Sequence, residues 1–121
     1  MKKVVLVADD SSTVRKFVSF AVKSMGHRVI TATDGMDALE KLPDAEVDLV
    51  ITDLNMPNMN GYELIDSLRK SERYRETPII ILSSESGEED KKKGKELGAD
   101  SYMVKPFNAK RIQYEISKYI E

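Results

Sequence analysis

Five short apolar runs alternate with five helix-like segments along the 121 residues, and this order restricts the possible folds more than any other feature. The runs at 4–8, 29–32, 47–52, 79–82 and 102–104 are typical of short strands, most of them rich in β-branched residues. The segments at about 14–25, 36–42, 62–70, 88–97 and 109–120 show helical spacing of apolar residues or helix-capping residues at their ends. Strands that alternate with helices predict βαβ units, and therefore an α/β fold with a parallel sheet and helices on both faces.

The composition fits one globular domain and excludes several classes of function. The chain is 40% hydrophobic and 33% charged, and it has no cysteine, which excludes disulfide and thiolate chemistry. A net charge of -2 argues against general binding to the phosphate backbone of nucleic acids. The first apolar run meets Asp9 and Asp10 too soon for a signal peptide or a membrane span. We expect a single cytoplasmic domain over residues 1–121, with no output domain, no membrane insertion and no nucleic-acid partner.

Polar side chains follow each predicted strand at the point where it ends. Those after the second strand, Thr33 and Asp34, are expected to lie at the edge of the sheet, away from the others. Asp9 and Asp10 follow the first strand, Asp53 the third, Ser83 the fourth and Lys105 the fifth. Ligands of doubly wound sheets bind at this edge, where the order of strands reverses. Three carboxylates brought together there raise one another's pKa unless a cation compensates them, and oxygen ligands of this kind suit Mg²⁺.

Each of these residues also has an ordinary structural explanation. The pair Asp9 and Asp10, taken alone, is most often a helix N-cap, and Asp53 alone can start a turn. Ser83 can cap the fourth helix, and Lys105 can be an exposed lysine before a loop. Their joint position at one sheet edge favours a site instead, in which a metal, an amine and a hydroxyl clamp a phosphoryl group. Asp53 is then the nucleophile that forms an acyl phosphate.

Four motifs connect the chain to a known family: VADD (7–10), ITDLNMPNMNG (51–61), ILSS (81–84) and YMVKPF (102–107). With them the chain resembles the receiver domains of two-component response regulators, most of all the single-domain chemotaxis-type receivers, from Lys3 to Tyr119. The resemblance implies a flavodoxin-like (βα)5 fold whose five parallel strands lie in the order 2-1-3-4-5. It also implies a phosphorylation-activated signalling protein, which at most catalyses its own phosphorylation and dephosphorylation.

The resemblance assigns the acceptor and the metal ligands. Asp53 is expected to accept the phosphoryl group from a histidine kinase and to bind Mg²⁺. Asp10 is expected to bind the metal directly and Asp9 through water, while the main-chain carbonyl of Asn55 supplies a further ligand. The side chain of Asn55, together with Glu85, is expected to assist the attack of water on the acyl phosphate, which gives a lifetime of seconds to minutes. Glu85 can equally be a charge in the first turn of the fourth helix.

The resemblance also assigns the residues that respond to phosphorylation. Ser83 is expected to contact the phosphoryl group and to move on activation, and Lys105 to pair with that group. A cis peptide bond before Pro106 is expected to aim Lys105 inward. Tyr102 is expected to change rotamer as Ser83 moves, although a half-buried strand aromatic fits the same sequence. Gly61 is expected to adopt a backbone angle that other residues avoid.

Two further segments complete the sequence-based picture. The fourth helix has few apolar anchors, and Gly94 lowers its helix propensity, which suits a two-state switch. Its lysines, at 91, 92, 93 and 95, form either a site for an acidic partner or an ordinary solvated face. His27, the single histidine, is expected to be a solvated surface residue.

The implied partners are a sensor histidine kinase and a protein output target, such as the flagellar motor or another regulator. Phosphorylation is expected to switch partner binding through a surface made by the fourth helix, fifth strand and fifth helix. The protein is expected to be a monomer or a weak phosphorylation-dependent dimer.

Two other functions use similar sheets. A Mg²⁺-dependent aspartyl phosphohydrolase usually carries its nucleophile and a second Asp two residues later after the first strand. Here that strand is followed by adjacent acids, and the residue two positions after Asp53 is Asn55. A flavin-binding domain needs a hydroxyl- and glycine-rich phosphate loop after the first strand, where Asp9 and Asp10 would repel the phosphate.

Overall fold

The computed structural model describes residues 2–121, in which five strands alternate with five helices. The strands are β1 (Val4–Ala8), β2 (Arg28–Ala32), β3 (Leu49–Thr52), β4 (Ile79–Ser83) and β5 (Ser101–Val104). The helices are α1 (Ser12–Ser24), α2 (Gly35–Lys41), α3 (Gly61–Lys70), α4 (Glu88–Leu97) and α5 (Ala109–Ser117), and a 3₁₀ turn covers Leu42–Asp44. The bounds lie within about three residues of the predicted ones.

All five strands form one parallel sheet in the order β2-β1-β3-β4-β5, which confirms the predicted fold class. Successive residues of the central strands enter opposite cores: Val50 packs with α2 and α3 on one face, and Ile51 packs with α1 and α5 on the other. Because every residue of β3 and β4 is buried, both strands read as continuous apolar runs rather than as alternating patterns. Among residues 2–121, no helix has the length and hydropathy that a membrane crossing requires.

Helix α4 is the least anchored helix of the fold, as its sequence predicts. Its N-cap residue, Gly87, makes no side-chain capping hydrogen bond, and Gly94 is the only buried residue of the helix. A methyl group at Gly94 would lie 2.7 Å from Cδ1 of Ile81 and 3.6 Å from Cδ2 of Tyr102, so this glycine lets α4 approach the sheet closely. From α3, the Tyr62 hydroxyl donates a hydrogen bond to Oδ1 of Asp90 at 2.9 Å. Helix α4 is therefore held by a close backbone approach and a polar contact more than by apolar burial.

Two expectations about the opposite edge of the sheet are corrected. The third strand was predicted at 47–52, but β3 starts at Leu49. Asp48, directly before it, accepts a hydrogen bond from the backbone N–H of Val4 at 2.9 Å. The prediction that His27 is a solvated residue was wrong: it is 5% exposed, and its Nδ1 accepts a hydrogen bond from the backbone N–H of Lys3 at 3.2 Å. Burial lowers the pKa of His27 below its ordinary value of 6.5.

Candidate functional site

Three carboxylates meet at the carboxyl ends of β1 and β3. Oxygens of Asp9, Asp10 and Asp53 all lie within 4.8 Å of one another. Asp9 and Asp53 are buried while Asp10 is exposed, so the cluster is open to solvent on one side. The sheet ladder continues into the site, since the N–H of Asp53 donates to the carbonyl of Ala8 at 2.9 Å. The two buried acids are therefore held by the backbone of the central strands and not by a flexible loop.

Lys105, directly after β5, reaches the same cluster. Its Nζ lies 3.1 Å from Oδ2 of Asp9 and 3.5 Å from Oδ2 of Asp53. The backbone N–H of Lys105 donates to the carbonyl of Ser83 at 2.8 Å, which continues the β4–β5 ladder to this residue. The peptide bond between Lys105 and Pro106 is cis, as the resemblance implies.

The charge at the site is unbalanced. Burial raises the pKa of Asp53 above its ordinary value, and the neighbouring charge of Asp9 raises it further. Lys105 and the N–H of Leu54 act in the opposite direction without cancelling these effects. One amine thus faces three carboxylates. Oxygen donors, a buried negative charge and one open side fit a hard divalent cation that keeps part of its water, as Mg²⁺ does.

The capping explanations for the acids and for Ser83 do not hold. Asp9 accepts a hydrogen bond from the N–H of Ser11 at 2.9 Å, but it is Ser11 that caps α1, by accepting from the N–H of Val14. Ser83 is fully buried, and its Oγ accepts a hydrogen bond from the N–H of Glu85 at 3.1 Å rather than capping α4. Neither Asp9 nor Ser83 is therefore the N-cap residue of a helix.

Asn55 and Glu85 form a direct bridge between the loops that follow β3 and β4. Nδ2 of Asn55 donates to Oε1 of Glu85 at 3.1 Å. The Tyr102 hydroxyl donates to the backbone carbonyl of the same Glu85 at 2.6 Å, and the Tyr102 side chain is half-buried. The two residues expected to assist hydrolysis thus touch each other, and the expected switch aromatic is bonded to the same loop.

Gly61 is required for a reason other than the predicted one. Its φ angle is not in the left-handed region; that angle occurs instead at Asn58, with φ 64°. A methyl group at Gly61 would lie 2.1 Å from the carbonyl oxygen of Asp53 and 2.9 Å from Cα of Leu54. Gly61 is therefore needed because α3 begins against the backbone of Asp53 and Leu54.

Sequence reasoning missed two residues that support this edge. Arg15 on α1 donates from Nη1 to the backbone carbonyl of Asp9 at 2.7 Å. Asn58 donates from Nδ2 to Oδ2 of Asp34, the N-cap residue of α2, at 2.8 Å. The Asn-rich composition of 55–60 indicated a turn, but nothing in the sequence indicated that the turn is tied to α2.

The family model for the response regulator receiver domain matches residues 5–117. The chain belongs to the receiver domain family. Receiver domains of this type are phosphorylation-dependent signalling modules and not enzymes that turn over outside substrates, and the family generally binds Mg²⁺. The sequence-based assignment of family and of two-component signalling is confirmed.

Two curated relatives and one solved structure are similar to this receiver domain over more than nine-tenths of its length. Protein PilG of Pseudomonas aeruginosa is 37% identical over 116 residues, which cover 96% of this chain and 86% of PilG. Chemotaxis protein CheY1 of Helicobacter pylori is 36% identical over 113 residues, covering 92% of this chain and 91% of CheY1. The solved structure of chemotaxis response regulator CheY4 of Vibrio cholerae is similar with a TM-score of 0.93 and 38% identity, covering 99% of this chain and 100% of CheY4.

Proposed function

We propose that this receiver domain accepts a phosphoryl group on Asp53 from a sensor histidine kinase. The observation that supports this most is the buried carboxylate of Asp53, whose pKa is raised and which lies beside two further acids and the amine of Lys105. An oxygen of Asp53 attacks the phosphorus of a phosphohistidine, the P–N bond breaks, and the imidazole leaves with a proton from solvent. Lys105 is placed to neutralise charge on the transferred group.

The resemblance to receiver domains implies the metal ligands, and the clustering of the three carboxylates supports them. The carboxylates of Asp9, Asp10 and Asp53, with the main-chain carbonyl of Asn55, would hold Mg²⁺, with Asp9 acting through water. When bound, Mg²⁺ supplies positive charge to the phosphoryl oxygens. The residues themselves position the acceptor, because Asp9 and Asp53 stand on adjacent strands and cannot move apart without breaking the sheet ladder.

The hydrogen bonds around Glu85 suggest how phosphorylation is transmitted. The Ser83 hydroxyl accepts a hydrogen bond from the backbone N–H of Glu85, and the Tyr102 hydroxyl donates one to the backbone carbonyl of Glu85. A phosphoryl group on Asp53 offers Ser83 a charged acceptor, which favours turning its hydroxyl toward the site. The loop at Glu85 is then released, Tyr102 changes rotamer, and the weakly anchored α4 shifts. The output surface is that of α4, β5 and α5.

The lifetime of the phosphorylated state is set by Asn55 and Glu85. Nδ2 of Asn55 and Oε1 of Glu85 lie 3.1 Å apart. The uncharged amide of Asn55 can hydrogen-bond an attacking water without charge repulsion, and Glu85 lies close enough to Asn55 to contact the same water. We infer a lifetime of seconds to minutes. The output is a protein target in a chemotaxis-type pathway of the cytoplasm, an inference that rests on the names of chemotaxis protein CheY1 and chemotaxis response regulator CheY4.

Incubation with Mg²⁺ and acetyl phosphate, followed by intact mass measurement, tests the proposal. The wild-type chain should gain one phosphoryl group, and Asp53→Asn should gain none. A chain that gains none with any small donor contradicts the proposal. Multiple turnover of phosphate esters would show the alternative, a Mg²⁺-dependent aspartyl phosphohydrolase that acts on outside substrates.

A further inference from the structure

We propose that Asp34 and Asn58 are positioning residues for the metal site, and that their contact sets the affinity of the protein for Mg²⁺. They hold the 55–60 loop, the segment that directly precedes α3. This loop begins with Asn55, whose main-chain carbonyl is one of the proposed metal ligands. The inference rests on the proposed function, because it concerns the support of a ligand that the proposed function assigns.

The 55–60 loop has little apolar burial of its own to keep it in one conformation. Asn55, Pro57 and Asn58 are exposed, and Met56 is the one residue of the loop that is buried. The backbone of Asn58 has φ 64°, a left-handed conformation that asparagine tolerates but that still costs free energy. Such a conformation persists only where surrounding contacts enforce it, so the loop needs support from outside.

The start of α2 supplies this support through two hydrogen bonds and a close backbone approach. Nδ2 of Asn58 donates to Oδ2 of Asp34 at 2.8 Å, and the N–H of Gly35 donates to the carbonyl of Met59 at 3.0 Å. A methyl group at Gly35 would lie 2.6 Å from Cγ of Met59, so the two segments pack without room for a further side chain. The second half of the loop is therefore tied to α2.

Asp34 is a rigid anchor because both of its carboxylate oxygens are engaged. It is buried, and while Oδ2 accepts from Asn58, Oδ1 accepts the N–H of Asp37 at 2.8 Å and caps α2. These hydrogen bonds, from the N–H of Asp37 and from the amide of Asn58, hold the pKa of Asp34 below its ordinary value. The carboxylate is therefore charged at neutral pH, which strengthens its bond to Asn58.

The same anchor is connected to the acidic cluster through the sheet. The N–H of Asp9 donates to the carbonyl of Ala32 at 3.1 Å, which extends the β1–β2 ladder to the cluster, and Asp34 lies two positions after Ala32. The loop is thus fixed to the strand pair that also carries Asp9. Asp34 and Asn58 are not members of the acidic cluster, so they act on it through the loop.

This arrangement predicts a specific pattern of effects. Groups that orient a metal's ligands without binding the metal are typically responsible for tenfold or more of its affinity. Loss of the contact between Asp34 and Asn58 should therefore weaken Mg²⁺ binding about tenfold. The phosphorylation rate at saturating Mg²⁺ should change little, because Asp53 and Lys105 are held by the sheet ladder and not by this loop.

The test uses two variants, each of which removes one side of the contact and keeps the local backbone. Asp34→Ser retains a good N-cap residue for α2, and Asn58→Gly suits a φ of 64°. Mg²⁺ is titrated into unphosphorylated ¹⁵N-labelled protein, and the amide signals of the 55–60 loop report binding. Each variant should bind Mg²⁺ about tenfold more weakly than wild type. The double variant should lie within about twofold of either single variant, because both remove the same contact.

The matched control is Asp37→Ser, which takes one negative charge from the same helix. The carboxylate of Asp37 bonds to Thr33 and Lys41 and makes no hydrogen bond to the 55–60 loop. Mg²⁺ affinity should stay within about twofold of wild type in this control. An equal loss of affinity in Asp37→Ser would indicate a general charge effect and would contradict the inference.

A second measurement separates positioning from a loss of folded structure. Phosphorylation by acetyl phosphate is followed by intact mass at increasing Mg²⁺ concentrations. In both variants the Mg²⁺ midpoint should rise about tenfold while the maximal rate stays within about threefold of wild type. A lower maximal rate with an unchanged midpoint would show a merely structural role.

The outcomes also separate this inference from the proposed function. Variants that bind Mg²⁺ as tightly as wild type would overturn the inference and leave phosphorylation of Asp53 untouched. A wild-type protein that takes up no phosphoryl group, but whose Mg²⁺ affinity falls in both variants, would overturn the proposed function and leave the inference standing. A wild-type protein that binds no Mg²⁺ would contradict both.

Discussion

Replacement of Gly61 by alanine tests whether the start of α3 positions the acceptor. The added methyl carbon would lie 2.1 Å from the carbonyl oxygen of Asp53, whereas ordinary contacts begin at 3.4 Å. The difference requires the two backbones to separate by about 1.3 Å. Neither can yield easily, because the N–H of Gly61 donates to the carbonyl of Leu54 at 2.9 Å and the N–H of Asp53 donates to Ala8.

The expected cost follows from overpacking. Inserting a methyl group into a close-packed site costs about 1–3 kcal/mol, and a contact with backbone belongs at the upper end. Part of this cost is offset, because alanine stabilises a helix by up to about 1 kcal/mol relative to glycine. Gly61→Ala should therefore lose about 2 kcal/mol of unfolding free energy, which lowers Tm by roughly 8 °C in a chain of this size. Because Asp53 is displaced by on the order of 1 Å, its phosphorylation by acetyl phosphate should slow by at least about tenfold.

Circular dichroism during heating measures the first effect, and intact mass at timed intervals measures the second. The matched control is Gly87→Ala, whose methyl group would meet only Oδ2 of Asp90, at 3.3 Å, the free end of a side chain that can rotate away. This control should stay within about 1 kcal/mol of wild type, since it only weakens a helix N-cap. A Gly61→Ala protein that is as stable as wild type and is phosphorylated at the same rate would refute the reasoning.

Four further predictions follow from single contacts. Asp53→Asn should raise the midpoint of urea unfolding at pH 7 in EDTA, because it removes the buried negative charge of a carboxyl group whose pKa is raised by burial. Added Mg²⁺ should stabilise the wild-type protein more than the variant. The pKa of His27 in the folded protein lies below 6.5, so the unfolded chain takes up a proton at a higher pH than the folded one. The free energy of unfolding should therefore fall as pH drops below about 6.5. Urea unfolding from about pH 8 to about 5.5 should show a smaller fall in His27→Gln. Tyr62→Phe removes the hydrogen bond to α4, and amide exchange in 88–97 should quicken about fivefold while α1 exchange is unchanged. Asn55→Ala should lengthen the acyl phosphate half-life several-fold when phosphate release is followed; an unchanged half-life would remove Asn55 from that role.

The parts of the fold that depend on local pattern were predictable from the sequence. Continuous apolar runs, helical spacing and capping residues determine the strand–helix alternation, and a parallel sheet then places all the strand ends at one edge. For this reason the sequence predicts that Asp9, Asp53 and Lys105 lie at the same edge of the sheet. Which strand ends are neighbours depends on the strand order β2-β1-β3-β4-β5, which the resemblance to receiver domains implied and the sheet confirms.

The parts that depend on contacts between distant segments were not predictable. The role of Gly61 is set by the backbone of Asp53, and the burial of His27 is set by the chain around Lys3, which no local pattern reports. The same holds for Tyr62 and Asp90, which lie 28 positions apart. A glycine or a histidine in a sequence indicates that a close approach or a polar contact is possible, but only the packed chain shows with which residue.

The most direct test of the account asks which of the three clustered carboxylates carries the phosphoryl group. The protein is phosphorylated with acetyl phosphate and Mg²⁺ and treated with sodium borohydride, which reduces an aspartyl phosphate to homoserine, and its peptides are sequenced by tandem mass spectrometry. The account predicts homoserine at position 53 alone, because Asp53, which directly follows the central strand β3, is the proposed acceptor, whereas Asp9 and Asp10 are proposed metal ligands. Homoserine at position 9 or 10, or at no position in a folded and Mg²⁺-loaded protein, would contradict it.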